Sequence, residues 1–317
     1  MARFAETMPY AFFEGEIVPF GEANVSIGTH ALQYGTGAFA GVRGYLDQDG
    51  KTINIFRLRE HAARLLRSAR LLRMNLPYDA DAISQILIDL TQKNAPTSDV
   101  YFRPFVYKSS VQLTPRLQGI DDQLAVYMMP MGDYLDTNRG QKAIVSSWTR
   151  ISDNAIPSRG KITGAYINSS LAKDEAEEKG ADEAIMLTAD GKVAEGSGCN
   201  LFIVRDGVLI TPPITSDILE GITRRSLLKI AQDLGIPIEE RGIDRSELYI
   251  VDEAFFAGTG VQIARIDTID GRQIGTPGEA PISKRLSKVF FDTVRGANDL
   301  YRDWITPVQI PVEAARR

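Results

Sequence analysis

"SRGKITGAYINS", residues 158–169, holds one lysine between two glycines, with small and aromatic side chains behind it. Other lysines fall in solvent-facing runs such as "LAKDEAEEKG" (171–180), but Lys161 does not. A lysine held against an apolar wall loses solvation in its charged form, so its pKa falls. The neutral amine then attacks an aldehyde or shuttles a proton. A surface loop lysine fits the same letters, so the stretch poses a question that its surroundings must answer.

The surroundings begin with composition. The chain has 317 residues, 44% hydrophobic and 24% charged, more than one typical core holds, which points to two domains. A net charge of -5 argues against nucleic acid as a partner, since phosphate binding needs a basic field. No apolar run is long enough for a membrane span, and the first residues lack the pattern of a signal peptide. The single cysteine, Cys199, rules out an internal disulfide framework and suits a reducing cytoplasm. With only two histidines, His30 and His61, a multi-histidine metal site is excluded, and no G-x-S-x-G elbow occurs. Acid–base chemistry must therefore come from Lys, Asp, Glu or Tyr.

Periodicity gives an α+β or α/β chain. "YAFFEGEIVPF" reads as a hairpin around Glu14-Gly15, and "FRLREHAARLLRSARLLRM" as an amphipathic helix. A second helix follows over 79–93, then strands in "DVYFRPFVYKSSV" and "DQLAVYMMPM". The polar stretch 136–143 separates a small α+β domain, 1–135, from a larger domain, 144–317. In the latter, helices over "YINSSLAKDEAEEKG", "GITRRSLLKIAQDLG" and 281–295 alternate with short strands, and "PVEAARR" at the end is frayed.

Several segments offer chemistry. In "YGTGAFAGVRG" the spacing of Gly35, Gly37 and Gly41 is wrong for a dinucleotide loop, so these glycines serve turns and close packing. Gly221 leads into a helix whose first turn holds Ile222 and Thr223, a ready anion site or an ordinary N-cap. "AGTGVQI" offers a second turn with Thr259 between glycines. Arg59 could supply positive charge, although a solvated helix arginine is the simpler reading. Glu195, after a strand and before Gly-Ser-Gly, suits pairing with a protonated ring nitrogen, although a solvent-facing turn glutamate is again simpler. Cys199 reads as a small buried side chain, for want of a base beside it.

In order, "HALQYGTGAFAGVR", "FRLREHAARL", "VYFRP", "VSSWTR", "KITGAYINS", "DEAIML", "VAEGSGCNLF", "TPPITSDILEGITR" and "FFAGTG" resemble successive motifs of the class IV aminotransferases, most closely the branched-chain amino acid aminotransferases. The resemblance runs from about Tyr10 to about Phe291. It implies the two-domain architecture of fold-type IV pyridoxal 5′-phosphate enzymes, shared with D-amino acid aminotransferase. It also implies that Lys161 forms the internal aldimine, that Glu195 pairs with the pyridinium nitrogen and that Tyr166 stands by the phenolic oxygen. Arg59, Ile222, Thr223 and Thr259 would hold the phosphate. The simpler readings of Arg59 and Glu195 give way to the resemblance. Gly160 and Gly164 then give the backbone room beside a cofactor.

The implied reaction is ping-pong transamination of leucine, isoleucine and valine with 2-oxoglutarate, with Lys161 as the base that moves the α-proton. On the substrate side the resemblance points to Tyr34, Phe39, Gly41, Tyr101, Arg103, Tyr134 and the turn Thr259–Gly260–Val261, with part of the pocket supplied by a second subunit of a homodimer. Three positions depart from the family: Ala40 stands for a usual glutamate, Met131 for a usual tryptophan, and the loop 109–119 carries Arg116 in place of glycines. These leave D-amino acids, (R)-primary amines and an aminodeoxychorismate lyase activity as alternatives.

Overall fold

The computed structural model describes residues 7–132, 135, 139–276 and 278–311. The chain divides into two units: 1–132 with 160–164 and 292–317, and 133–159 with 165–291.

The first unit is built on an eight-stranded sheet, antiparallel throughout. β1 (Tyr10–Phe13) and β2 (Glu16–Pro19) form the expected hairpin. Its two-residue turn puts both Glu14 (φ 50°) and Gly15 (φ 91°) in the left-handed region, which matches the twist of the strands. After α1 (His30–Tyr34) come β3 (Gly37–Phe39), β4 (Val42–Leu46) and β5 (Thr52–Phe56), then α2 (Leu58–Leu71) and α3 (Ala80–Asn94). β6 (Val100–Lys108) and β7 (Asp122–Pro130) pair along their whole length. Asp79 caps α3, its carboxylate accepting the Ala82 N–H at 2.8 Å. α2 buries Leu58, His61, Ala62, Arg64, Leu65, Ser68 and Ala69, a stripe at three- and four-residue spacing.

The second unit carries a nine-stranded mixed sheet. Its elements are β8 (Gln141–Val145), α4 (Tyr166–Glu178), β9 (Glu183–Leu187), β10 (Val193–Gly196), β11 (Asn200–Arg205), β12 (Val208–Thr211), α5 (Ile222–Asp233), β13 (Ile238–Glu240), β14 (Glu253–Gly258), β15 (Gln262–Ile269), β16 (Arg272–Gln273) and α6 (Pro281–Val294). β8 pairs in parallel with β9 and β15, whereas β14 pairs antiparallel with both β11 and β15. Leu201, Ile203, Ala254, Phe256 and Ile266 fill one buried cluster on this sheet. α4 lays Ala172 and Ala176 against Ala184 and Met186 of β9, small residues that let helix and sheet approach closely.

The expected domain boundary differs from this division at three places, the first being that 160–164, expected in the larger domain, belongs to the first unit. Gln141–Ala143, read as linker, already belong to β8, while 136–138 lie outside the described residues. The last strand, β17 (Ile305–Gln309), pairs antiparallel with β5, so the chain returns to the first unit at Asp292 instead of ending in the second. Strand pairing over a separation of some 250 residues leaves no local trace. The expected fraying of the C-terminal tail falls on residues beyond Pro311, outside the described residues.

α4 also carries a pH-sensitive tie. Burial alone would raise the Glu175 carboxyl, but the Lys179 ammonium, the Ser146 hydroxyl and the Ser147 N–H hold it down to about 2, from 4.5. These donors lie at 2.7, 2.6 and 2.9 Å. A carboxyl with a lowered folded-state pKa stabilises fully above its unfolded value, and that contribution is lost as pH falls through the folded one. Glu175→Gln is therefore expected to cost about 1–3 kcal/mol at neutral pH. The difference from the parent should shrink below pH 4.5 and vanish near pH 2 in urea melts. An undiminished difference at pH 2.5 would contradict the assignment.

Candidate active site

In the first unit, Lys161 is seated by its glycine neighbours. A Cβ on Gly160 would lie 2.9 Å from Leu71 Cδ1, and one on Gly35 would lie 2.8 Å from the Gly164 Cα. The Gly164 N–H donates to the Gly35 carbonyl at 3.1 Å. These glycines therefore let 160–164 lie against α2 and α1. Close packing of the chain on itself is thus a structural reason for these glycines. Lys161 itself donates its N–H to Ser68 Oγ (3.1 Å) and accepts the Phe39 N–H (3.0 Å), which fixes its backbone on both sides. Its Nζ stands 5.1 Å from the centre of the Phe39 ring.

Phe39 begins an aromatic wall. The Arg103 guanidinium lies 4.5 Å over Phe39 and 5.3 Å over Tyr101, and Arg103 Nη2–H donates to the Tyr101 hydroxyl at 3.3 Å. Gly41 is required here, because a Cβ on it would stand 2.0 Å from Tyr101 Oη. Phe39, Gly41, Tyr101 and Arg103, named separately from the sequence, are thus one assembly with Lys161. Ala40 and Met131 are buried in the same unit, and the Met131 carbonyl accepts Arg43 Nη2–H at 2.7 Å. Tyr34 is more exposed, its ring 4.7 Å from that of His30. Arg116 is exposed and donates to Gln112 at 3.4 Å. Tyr134 lies outside the described residues.

Arg59 is a correction. Its side chain is 70% exposed on the outer face of α2 and pairs with Asp81 at 2.6 Å. The Asp81 carboxylate raises the Arg59 pKa, as an exposed pair does. The buried arginine of that helix is Arg64. Its carbonyl accepts the Ser68 hydroxyl at 3.1 Å, and Ser68 Oγ in turn accepts the Lys161 N–H. Arg64 lies on the stripe His61–Arg64–Ser68, a register where a charged residue is unusual. That signal was available in the sequence and marks Arg64 over Arg59.

In the second unit, Glu195 sits in a β-bulge of β10. Val193 pairs with Leu187 and Gly196 with Ile185, so Ala194 and Glu195 face a single residue of β9. The bulge re-aims a side chain that regular pleating would leave to alternate. Glu195 is 5% exposed and is no solvent-facing turn residue. Its carboxylate lies 3.0 Å from Arg150 Nε, accepts Asn200 Nδ2–H at 2.9 Å and takes the Leu219 N–H at 3.2 Å. Arg150 and Asn200 escaped the sequence reading. Neither has a local signature, since each is recognised only by the carboxylate it meets.

Asn200 also explains Gly221, where a Cβ would meet Asn200 Oδ1 at 2.0 Å. Gly221 caps α5 without a side chain, so the backbone of Ile222 and buried Thr223 is left to serve as an anion cradle. Asn200 pairs with Ala257 across β11 and β14, which puts the turn Thr259–Gly260–Val261 at the same sheet end. Tyr166 opens α4. Asn168, two residues along, takes the Ile151 N–H at 3.1 Å and donates to the Thr149 carbonyl at 2.9 Å, gripping the segment that carries Arg150. Glu195, Ile222, Thr223 and Thr259 are therefore gathered at one end of the sheet. The Cys199 thiol beside them is pushed well up by burial and by the Glu183 and Glu195 carboxylates, which removes it as a nucleophile.

The family model for amino-transferase class IV matches residues 41–269. The chain belongs to the class IV aminotransferases. A probable branched-chain-amino-acid aminotransferase of Aquifex aeolicus is 45% identical over 303 residues, covering 95% of this chain and 97% of that one. Among solved structures, the branched-chain aminotransferase of Thermoproteus uzoniensis with norvaline superposes with a TM-score of 0.91 at 42% identity, covering 95% of this chain and 99% of that one. The branched-chain amino acid aminotransferase of Thermobaculum terrenum in its PLP form gives a TM-score of 0.91 at 39% identity, covering 96% and 100%. The donor set of this aminotransferase fits that cofactor's chemistry: an amine for an aldehyde, a buried carboxylate for a pyridinium, and a helix N-terminus with a hydroxyl for a phosphate.

Proposed function

We propose that this aminotransferase moves the amino group of leucine, isoleucine or valine to 2-oxoglutarate in two half-reactions at Lys161. The observation that carries the reading is the placement of the Lys161 amine 5.1 Å from Phe39, on the wall built by Phe39, Tyr101 and Arg103. Apolar aromatic surface suits a branched aliphatic side chain. The Tyr101 hydroxyl and Arg103 guanidinium supply polar groups on that wall for a carboxylate.

Pyridoxal 5′-phosphate, when bound, supplies the aldehyde and the ring that withdraws electrons from the substrate α-carbon. Lys161 would hold the cofactor through its amine and, once released, its Nζ would move the α-proton. Glu195 would meet the ring nitrogen, with Arg150, Asn200 and Leu219 fixing its carboxylate. Ile222, Thr223 and Thr259 hold phosphate oxygens, and Arg64 replaces Arg59 as the arginine of that set. Tyr166 would meet the phenolic oxygen. The backbone of the turn Thr259–Gly260–Val261 holds the substrate carboxylate. Tyr34 is a further substrate-side residue of this reading.

The enzyme works as at least a homodimer in the cytoplasm. Ile27, Leu32, Val111 and Leu113 are 65–87% exposed. They lie on one face, because His30 ties α1 to the loop through the Ser110 carbonyl (3.0 Å) and the Thr114 carbonyl (2.8 Å). Such an apolar face suits a second copy of the chain. Sedimentation of an Ile27→Glu, Leu113→Glu variant should show monomer, and an unchanged oligomer would exclude this face. No helix among the described residues is long and apolar enough to cross a membrane.

Half-reactions test the substrate. Mixed separately with L-leucine, L-valine, D-alanine and (R)-1-phenylethylamine, the loaded enzyme should convert its cofactor to pyridoxamine phosphate fastest with the two L-amino acids. Faster conversion by D-alanine than by L-leucine would refute the branched-chain reading. Rapid conversion by the (R)-amine would assign to Ala40, Met131 and Arg116 a widened site.

A further inference from the structure

Glu183 is a buried carboxylate that the reaction above does not use. It begins β9, is 2% exposed, and its Oε1 accepts two backbone N–H groups: its neighbour Ala184 at 2.9 Å and Ser197 at 3.2 Å. We propose that Glu183 is a positioning residue for Glu195, holding through the Ser197 N–H the turn on which the Glu195 bulge rests. The inference depends on the reading of Glu195 as the partner of the cofactor's ring nitrogen.

The physical need arises from the bulge. One residue of β10 has no ladder partner there, so the backbone under Glu195 is less constrained than in a regular strand. The turn after it is closed by the Gly196 N–H on the Cys199 carbonyl at 2.7 Å. That bond leaves the Ser197 N–H to be satisfied from outside the turn, and Glu183 does so from the neighbouring strand. The arrangement brackets Glu195: Asn200, at the far end of the turn, holds the carboxylate, and Glu183 holds the backbone between them. The seat is tight, since a Cβ on Gly196 would come within 2.6 Å of Cys199 Sγ. A carboxylate that must meet a ring N–H tolerates displacement of only about 0.5 Å. Loosening the turn would misplace it without removing any group that touches the cofactor. Both carboxylates also act on the Cys199 thiol, which puts their charges on the same small volume.

The test compares Glu183→Ala, Glu183→Gln and Glu195→Gln for affinity of the apoenzyme for pyridoxal 5′-phosphate, and for the pH dependence of the bound cofactor's visible spectrum. Glu183→Ala should weaken binding about tenfold and shift the spectral pH midpoint. Glu183→Gln, whose amide oxygen can accept both N–H groups, should restore affinity to within about twofold. Should Glu183→Ala fail to fold, Glu183→Asp withdraws the acceptor by about 1.5 Å and takes its place in the comparison. Parent affinity and pH profile in the Ala or Asp variant, with Glu195→Gln altered, would overturn this inference alone. If Glu195→Gln also left the spectrum and affinity unchanged, the reading of Glu195 would fall, and this inference with it. A loss in Glu183→Gln as large as in Glu183→Ala would also overturn it, because the hydrogen bond would then not be the cause.

Discussion

Lys161→Ala should lower transamination by more than about 10³-fold while leaving the melting temperature of the cofactor-free protein within a degree or two of the parent apoenzyme's. The two halves of that expectation come from different atoms. The segment is held by its backbone: the Lys161 N–H on Ser68, its carbonyl under Phe39, and the Ala38–Ile162 bridge beside it. Alanine keeps all of these. What alanine loses is the Nζ near Phe39, and with it both the covalent hold on the cofactor and the base for the α-proton. The buried Lys108 is engaged elsewhere, paired with Asp122 at 2.8 Å and donating to the Arg73 carbonyl. Added methylamine should restore part of the rate, as expected when only an amine is missing. A variant that transaminates within tenfold of the parent would remove Lys161 from the chemistry.

The second large effect separates two arginines of α2 five residues apart, Arg59 and Arg64. Arg64→Ala should weaken cofactor binding about 10- to 100-fold, the loss of a charge-assisted contact to phosphate. Arg59→Ala should change it by less than about twofold, because an exposed pair with Asp81 has no part in the cradle. Titration of each apoenzyme with pyridoxal 5′-phosphate measures both. If Arg59→Ala proved the weaker binder, the inward register of α2 assigned here would be wrong.

These two arginines show how far the sequence could be read. The resemblance led to the right helix but settled on its outer face, and counting by threes and fours from His61 and Ser68 would have chosen Arg64. Elements with strong local signals were legible: the Glu14-Gly15 hairpin, the Asp79-capped α3, and α4 closed by Gly180 at φ 72°. Features made by distant segments were not. β17 finds β5 across nearly the whole chain, and Arg150, Asn200 and Leu219 converge on Glu195 from three separate segments. The bulge that aims Glu195 is invisible in "VAEGSGCN", because it exists only against β9. Gly41 was read as a substrate-side residue, and its structural reason is the Tyr101 hydroxyl stacked on its Cα.

The account turns on covalent attachment of the cofactor at one lysine and its release by an amino acid. Borohydride reduction of the loaded enzyme, followed by peptide mass mapping, tests this directly. The cofactor should be fixed on the peptide containing Lys161. That labelling should disappear when L-leucine is added first, and return when 2-oxoglutarate follows. Label on another lysine, or label on Lys161 that L-leucine does not prevent, would contradict the account.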